Sequence, residues 1–179
     1  MTVRQSLLAL LADRPRHGYG LKSGFEDRTG GAWPLNVGQV YTTLARLQRD
    51  GLVATDAEDD GDRQVWRITP TGREALEEWY ARPVVDDPPA RDELAIKVLL
   101  AMAAESVEIG ALLQSQRRAS MERLQELTRL KARADPEHEL PWLLLLDALV
   151  LKMRAEIEWL DLCEQRLAAR QDEGPGAAR

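Results

Sequence analysis

WPLNVGQVYTTLARLQRDGLV, residues 33–53, is the stretch on which the reading of the fold turns. Asn36 precedes a helical pattern and Gln39 follows three residues later, the spacing of a capping box in which each side chain satisfies a backbone donor of the first turn. Val40, Leu44 and Leu47 recur at helical spacing and form one apolar stripe. Gln39, Thr42, Thr43, Arg46 and Arg49 fall on the other side, and no carboxylate precedes Asp50. Gly51 ends the helix, because a residue without Cβ enters the left-handed turn cheaply. A short helix carrying amide, hydroxyl and guanidinium groups suits the major groove, where such groups pair with base edges. An ordinary solvated helix face presents the same residue types, and on this segment alone that plainer reading is favoured.

Working outward, the flanking sequence supplies the rest of a small head. Thr2 and Gln5 have capping-box spacing, and Val3, Leu7, Leu8, Leu10 and Leu11 supply an apolar face for a first helix. That helix stops near Asp13, since Pro15 disfavours helix at the residue before it. Arg16-His17-Gly18-Tyr19-Gly20-Leu21 opens a second helix reaching about Thr29, with Leu21 and Phe25 facing the core and Gly30-Gly31 ending it. Leu52–Thr55 and Gln64–Thr69 read as strands around a polar turn with an Asp-Gly pair. Trp66 and Ile68 share the inward face. Thr71-Gly72-Arg73-Glu74 is a further capping box, opening a helix through Trp79 and Tyr80. Three helices, a β-hairpin and a fourth helix make a winged helix-turn-helix, and that order of elements is more specific than any one of them.

The three segments HGYGL at 17–21, GQVYTTLARLQRDGLV at 38–53 and RQVWRITPTGREAL at 63–76 together resemble the PadR family of bacterial transcriptional regulators. The match covers roughly the first eighty residues, and the helical second half is similar to the larger members, whose C-terminal helices form the dimer. The resemblance implies that Tyr41 lies against the DNA backbone and that Asn36, Gln39, Thr42, Thr43 and Arg46 occupy DNA-facing positions. Arg63 sits at the wing, where family members lay basic residues along the minor groove. The wing here departs from that pattern, with Glu58, Asp59, Asp60 and Asp62 beside Arg63, so it is expected to arch away with Arg63 alone near the duplex. Asn36 cannot both cap the helix and read a base; the cap is favoured.

Arg82 to Arg91 contains three prolines and no periodicity, an extended linker. The sequence therefore divides into a winged helix-turn-helix over 1–81, a linker over 82–91, a helical dimerisation domain over 92–171 and a disordered tail over 172–179. Helices are expected over Glu93–Ala104, Glu105–Arg133 and Trp142–Arg170. The middle of the second, Gln114–Ser120, is polar, so its partner contacts should be weak or wet. In the last, Trp142, Leu146, Leu149, Met153, Leu160, Cys163 and Leu167 form a coiled-coil-like seam interrupted once, at Glu156. Leu143, Leu144, Leu145, Val150, Leu151, Ile157 and Leu162 lie off that seam. One chain would struggle to cover them all, which points to a two-fold homodimer.

Composition narrows the function classes. With 30% charged and 5% aromatic residues, a mainly α-helical soluble protein is expected. No apolar run spans a bilayer and no signal peptide is seen, so a cytoplasmic location and no membrane partner are expected. Cys163 is the single cysteine, which excludes an internal disulfide and a Cys-rich zinc site. Of the net charge of −6, none arises in residues 1–70, which carry nine Lys and Arg against nine Asp and Glu. Such a head binds phosphate only if its basic residues cluster on one face. No nucleophile, carboxylate pair, phosphate loop or metal cluster appears, so neither catalysis nor a cofactor is expected. His17 reads as a surface histidine at a helix start and Tyr19 equally as a core or phosphate-facing residue. His138, between Glu137 and Glu139, reads as part of a solvated loop rather than a metal site.

The expectation is a sequence-specific regulator binding double-stranded, palindromic operator DNA as a homodimer. Repression, and release on binding a small aromatic effector, are what the resemblance implies. Trp79, Trp142 and Trp159 could line such a pocket, although packing anchors are the favoured reading of all three. The alternative is a helical interaction module whose winged domain contacts protein, which the acidic wing and net charge favour and the carboxylate-free helix face opposes.

Overall fold

Leu7, Leu8, Leu10 and Leu11 are almost wholly buried on α1 (Thr2–Asp13), and the head is built on them. The computed structural model describes residues 2–55, 64–85, 91–104 and 106–172. The chain divides into two compact units, Met1–Val85 and Asp86–Arg179. In the first, α1 is followed by β1 (Arg16–His17), α2 (Gly18–Arg28), α3 (Val37–Arg49), β2 (Val53–Thr55), β3 (Val65–Ile68) and α4 (Pro70–Ala81). The α1 leucines pack with Leu21 of α2, Val40, Leu44 and Leu47 of α3, Trp66 and Ile68 of β3, and Leu76 of α4. Each fully buried side chain of this kind contributes roughly 1.5–3 kcal/mol, so one continuous core holds the four helices with β2 and β3, and β1 is held by its pairing with β3.

Three local features differ from the sequence expectation. Arg16–His17 does not open α2 but forms an edge strand, Arg16 opposite Trp66 and His17 opposite Val65, so the expected hairpin is a three-stranded antiparallel sheet in the order β1-β3-β2. Helix begins only at Gly18, since the two residues before it spend their backbone groups on β3. The cap of α3 is Asn36 alone: its Oδ1 accepts from the Gly38 N–H at 2.8 Å, one residue before the donor a capping box would use. The cap of α4 is Thr69, whose Oγ1 accepts from the Gly72 N–H at 3.0 Å, with Pro70 at the first helical position. Pro lacks the donor that this position leaves unpaired anyway.

Gly51 behaves as expected. Its φ is 72°, its N–H donates to the Gln48 carbonyl, and the Leu52 N–H donates to Leu47, the paired bonds of a Schellman motif. Gly72 is required for another reason. A Cβ there would stand 2.1 Å from the Leu52 carbonyl oxygen, so α4 sits directly on the chain leaving α3.

The second unit holds α5 (Glu93–Ala101), α6 (Ile109–Arg133) and α7 (Leu140–Asp172). α5 stops three residues short of the expected Ala104. α6 starts at Ile109, because Glu108 caps it by accepting from the N–H groups of Gly110 and Ala111. α7 starts at Leu140, two residues early, because Pro141 is tolerated in a first turn. Residues 173–179, part of the expected tail, lie outside the described residues, as do linker positions 86–90.

Paired contacts between α6 and α7 run in opposite directions along the two helices: Gln114 with Glu164, Ser120 with Glu156, Lys131 with Asp147. The hairpin is therefore antiparallel. Its apolar contacts fall into two clusters, one around Val98, Leu113 and Leu160 and one around Leu127, Leu146 and Val150. Between them, Ser120 donates to Glu156 at 2.5 Å and Gln116 donates to the same carboxylate at 3.0 Å. Nearby, Arg117 pairs with Asp161 and Glu164. The polar middle of α6 and the interruption of the α7 seam are thus one feature. The contacts there are direct hydrogen bonds, and Ser120 is buried, where weak or wet contacts were expected.

Among the described residues of the second unit, nothing covers the far side of α7. Leu140, Leu144, Leu151 and Leu162 fall within about 40° of one another at 100° per residue, and they are 57, 61, 61 and 41% exposed.

Candidate nucleic-acid interface

The core stripe of α3, Val40, Leu44 and Leu47, is completely buried, which fixes the rotation of the helix about its axis. Gln39, Thr42 and Arg46 are consequently exposed, together with Gly38, Ala45 and Arg49. The exposed face offers amides, hydroxyls and guanidinium groups in the company of small residues that allow close approach. Three of the expected positions behave differently from the rest. Asn36 spends its side-chain oxygen on the cap. Thr43 is half buried and its hydroxyl donates to the Gln39 carbonyl at 2.7 Å, leaving only its lone pairs to face outward.

Tyr41 is the third. Its ring lies over the start of α2, so close that a Cβ on Gly18 would stand 2.7 Å from the ring carbon bearing the hydroxyl. Gly18, in the HGYGL segment, is therefore what lets the recognition-helix tyrosine lie flat against α2. The ring remains 45% exposed. Its hydroxyl stands where the N-terminus of α2 emerges, an end that favours anions. Tyr19, in the same turn, is 67% exposed and belongs to the surface rather than the core.

The sequence reading missed a basic contribution from α1. A surface cavity of about 530 Å³ is lined by Val3 and Arg4 of α1 with Gln39, Thr43, Arg46 and Arg49 of α3. Asp50 lies in the same wall, but Arg4 reaches it at 3.4 Å and Arg49 at 3.5 Å, so its charge is offset. Three guanidinium groups against one carboxylate is the clustering on one face that a charge-neutral head needs. Only the 46-residue separation of Arg4 and Asp50 hid it.

The α2–α3 connection holds this arrangement through one side chain. Glu26 accepts from Lys22 Nζ at 2.5 Å and from the Leu35 N–H at 3.0 Å. The hydrogen bond from Lys22 first, and then that from the Leu35 amide, holds the Glu26 carboxyl below its ordinary value. Arg63 and the rest of the wing tip, residues 56–63, lie outside the described residues, and so does the expected arching of the wing.

The three tryptophans do not converge within one unit. Trp142 and Trp159 both lie on α7 but seventeen residues apart, roughly 25 Å along the axis. Trp142 packs beside the Leu127–Leu146–Val150 cluster and Trp159 beside Val98, Leu113 and Leu160. Trp79 belongs to α4 of the other unit, tilted against Tyr80 with ring centroids 4.8 Å apart. His138 Nδ1 lies 2.7 Å from Asp135 Oδ2 in an exposed turn.

Residues 90–168 match the family described as virulence activator alpha C-term. Transcriptional regulator Rv3488 of Mycobacterium tuberculosis is 35% identical over 99 residues, covering 54% of this chain and 82% of that protein. The structure of the virulence activator AphA of Vibrio cholerae superposes with a TM-score of 0.67 at 26% identity, covering 94% of this chain and 99% of that one. Bacillus subtilis PadR, crystallised in complex with operator DNA, superposes with a TM-score of 0.68 at 20% identity over 90% of this chain and 96% of that one, and shares the fold. Residues 7–78 match the transcriptional regulator PadR-like family, and the chain belongs to that family.

Proposed function

We propose that this regulator binds double-stranded operator DNA as a homodimer and acts in the cytoplasm as a repressor rather than as an enzyme. The observation that carries the reading is the outward face of α3, where Gln39, Thr42 and Arg46 stand clear of the core with no carboxylate among them. In this reading those three side chains meet base edges, and Tyr41, Arg4 and Arg49 meet phosphates. Arg63 adds a minor-groove or backbone contact from the wing. Asn36 orders the first turn of the helix without reading sequence.

The unit from residue 92 onward serves as the dimerisation domain. The exposed leucines of α7 support this, since Leu140, Leu144, Leu151 and Leu162 share one helix face, with Asp147 and Glu158 between them, and so many exposed leucines on one face seldom stay in water. Two heads related by a two-fold axis place their α3 helices roughly 34–36 Å apart, one turn of the duplex, and so read a palindrome. That Bacillus subtilis PadR was also crystallised with p-coumaric acid supports release by a small aromatic effector.

A mobility-shift titration against the DNA upstream of the protein's own gene, at two salt concentrations, tests the proposal. Specific binding should weaken steeply with salt, because each phosphate contact releases counterions. Binding without sequence preference, or none, would leave the head as a surface for protein.

A further inference from the structure

Gln39, Thr43, Arg46 and Asp50 follow one another on α3 and its C-cap at intervals of four, three and four residues, so they share one helix face. That face meets Arg4 of α1 across the surface cavity of about 530 Å³, which Arg49 also lines. Gln39 and Arg46 belong to the outward face of α3 as well, so the cavity is continuous with the surface proposed to meet DNA.

Asp50 is the one acid among the lining residues, and the local fold does not call for it. Its backbone angles are ordinary, φ −80° and ψ 1°, and the left-handed turn falls to Gly51. Its N–H closes the helix, which any residue but proline would do. A negative charge at a helix C-terminus also opposes the macrodipole. The carboxylate instead divides its oxygens between two elements. Oδ2 faces Arg4 Nη2 of α1 at 3.4 Å and Oδ1 faces Arg49 Nη2 of α3 at 3.5 Å. Both contacts are long and all three side chains are well exposed, so they yield readily to a competing anion. Arg46, in the same wall, meets no acid among the described residues.

We propose that this cavity seats one phosphate of the DNA backbone and that Asp50 is a built-in competitor for it. A phosphodiester carries the same single charge as a carboxylate and likewise presents two terminal oxygens, so it can take Arg4 and Arg49 from Asp50, with Arg46 alongside. In the free protein Asp50 keeps the two arginines paired; in the complex it stands unpaired beside an anion. Asp50 thereby weakens the hold of a single head on DNA of any sequence, and tight binding depends on base contacts and on two heads acting together. The inference rests on the DNA-binding reading above and adds to it the residue that limits its affinity.

Fluorescence anisotropy of a labelled random-sequence duplex, titrated with the full chain between about 50 and 200 mM salt, tests this without knowledge of the operator. Asp50→Asn should bind about fivefold more tightly at the low-salt end. The slope of log affinity against log salt should steepen by about 0.9, since the carboxylate no longer recaptures a cation that the phosphate has released. Glu77→Gln, which removes the same charge from an exposed position of α4, should change affinity less than about twofold. With Arg4→Gln and Arg49→Gln already in place, Asp50→Asn should gain nothing.

Equal affinity of Asp50→Asn and the wild type overturns the proposal, as does weaker binding, which would make Asp50 a residue that positions the arginines. An equal gain from Glu77→Gln would reduce the effect to gross charge, and a gain that survives loss of the arginines would put the phosphate elsewhere; either result overturns it. Absence of duplex binding by every variant would sink the regulator reading and this inference together. Duplex binding that Asp50 leaves untouched sinks this inference alone.

Discussion

The two units of this chain solve the problem of burying leucine in different ways. In the head, fourteen buried side chains drawn from every helix, from the α2–α3 connection and from both long strands make one core, and the exposed face of α3 is polar. In the second unit two clusters of three buried side chains each are separated by a polar belt, and α7 keeps four leucines exposed on its far side. The head is complete within the chain and its outer surface suits a hydrophilic partner. The helical unit is not, and the outer surface of α7 suits an apolar one. The proposed pairing through the tail and reading of DNA by the head would need this division, since an apolar head would aggregate and a polar α7 would not pair.

The sharpest break of the head is at Gly72. Gly72→Ala drives a methyl group into the Leu52 carbonyl, and because the obstacle is backbone, the cost should be about 3 kcal/mol. Urea unfolding followed by the fluorescence of Trp66, in a background with the other four tryptophans replaced by Phe, would measure it. The far-ultraviolet signal of the second unit should persist through the head's transition, as two independent cores require.

Breaking the tail should leave both units folded and remove function. Leu144→Glu with Leu151→Glu adds charges only to exposed positions, so the helical content should be unchanged. Sedimentation should show monomers, and operator affinity should fall about a hundredfold, some 2.7 kcal/mol. Retention of both dimer and affinity would exclude this stripe as the interface.

Arg46→Ala tests the polar face. If Arg46 meets a base, affinity should fall by about 1–3 kcal/mol and discrimination at one operator position should relax. A phosphate contact would weaken all sequences alike and reduce the salt dependence. Equal affinity would remove Arg46 from the interface.

Much of this was legible in the residues themselves. The apolar stripe and glycine stop of α3, the inward pair Trp66 and Ile68, and the exposed positions Gln39, Thr42 and Arg46 all follow from local periodicity. The strand at Arg16–His17 was hidden because two residues carry no period, and its partner lies fifty residues on. Arg4 was hidden for the same reason. Asn36 was recognisable as a cap, whereas the cap of α4 was expected at Thr71 and stands two residues earlier, at Thr69, because which residue caps and which N–H it takes depend on where the first turn closes. Glu156 looked like a flaw in a coiled-coil seam, and only the register of α6 against α7 shows that it accepts from Ser120 and Gln116. Ser120→Ala should therefore cost about 1 kcal/mol of stability in the second unit alone. A change there near zero would mean that water substitutes for the hydroxyl.

The smallest effect returns to the head and turns on pH. Glu26 joins Lys22 to the Leu35 amide and so fixes the connection that aims α3. Its carboxyl is held below its ordinary value by those two donors, so the folded form binds the proton less readily than the unfolded chain does. The sign follows from linkage: the contribution is fully present above the ordinary carboxylate range, about pH 4–5, and is lost as the pH falls through the lowered folded value. Glu26→Gln should accordingly be slightly less stable than the wild type at neutral pH, with the gap closing on acidification until the two melt together. The side chain is close enough to solvent that salt should shrink the gap as well. A gap that stays constant with pH would mean that Glu26 acts through its shape and its bond to Leu35 alone. The ion pair with Lys22 would then be a surface contact without weight in aiming the helix.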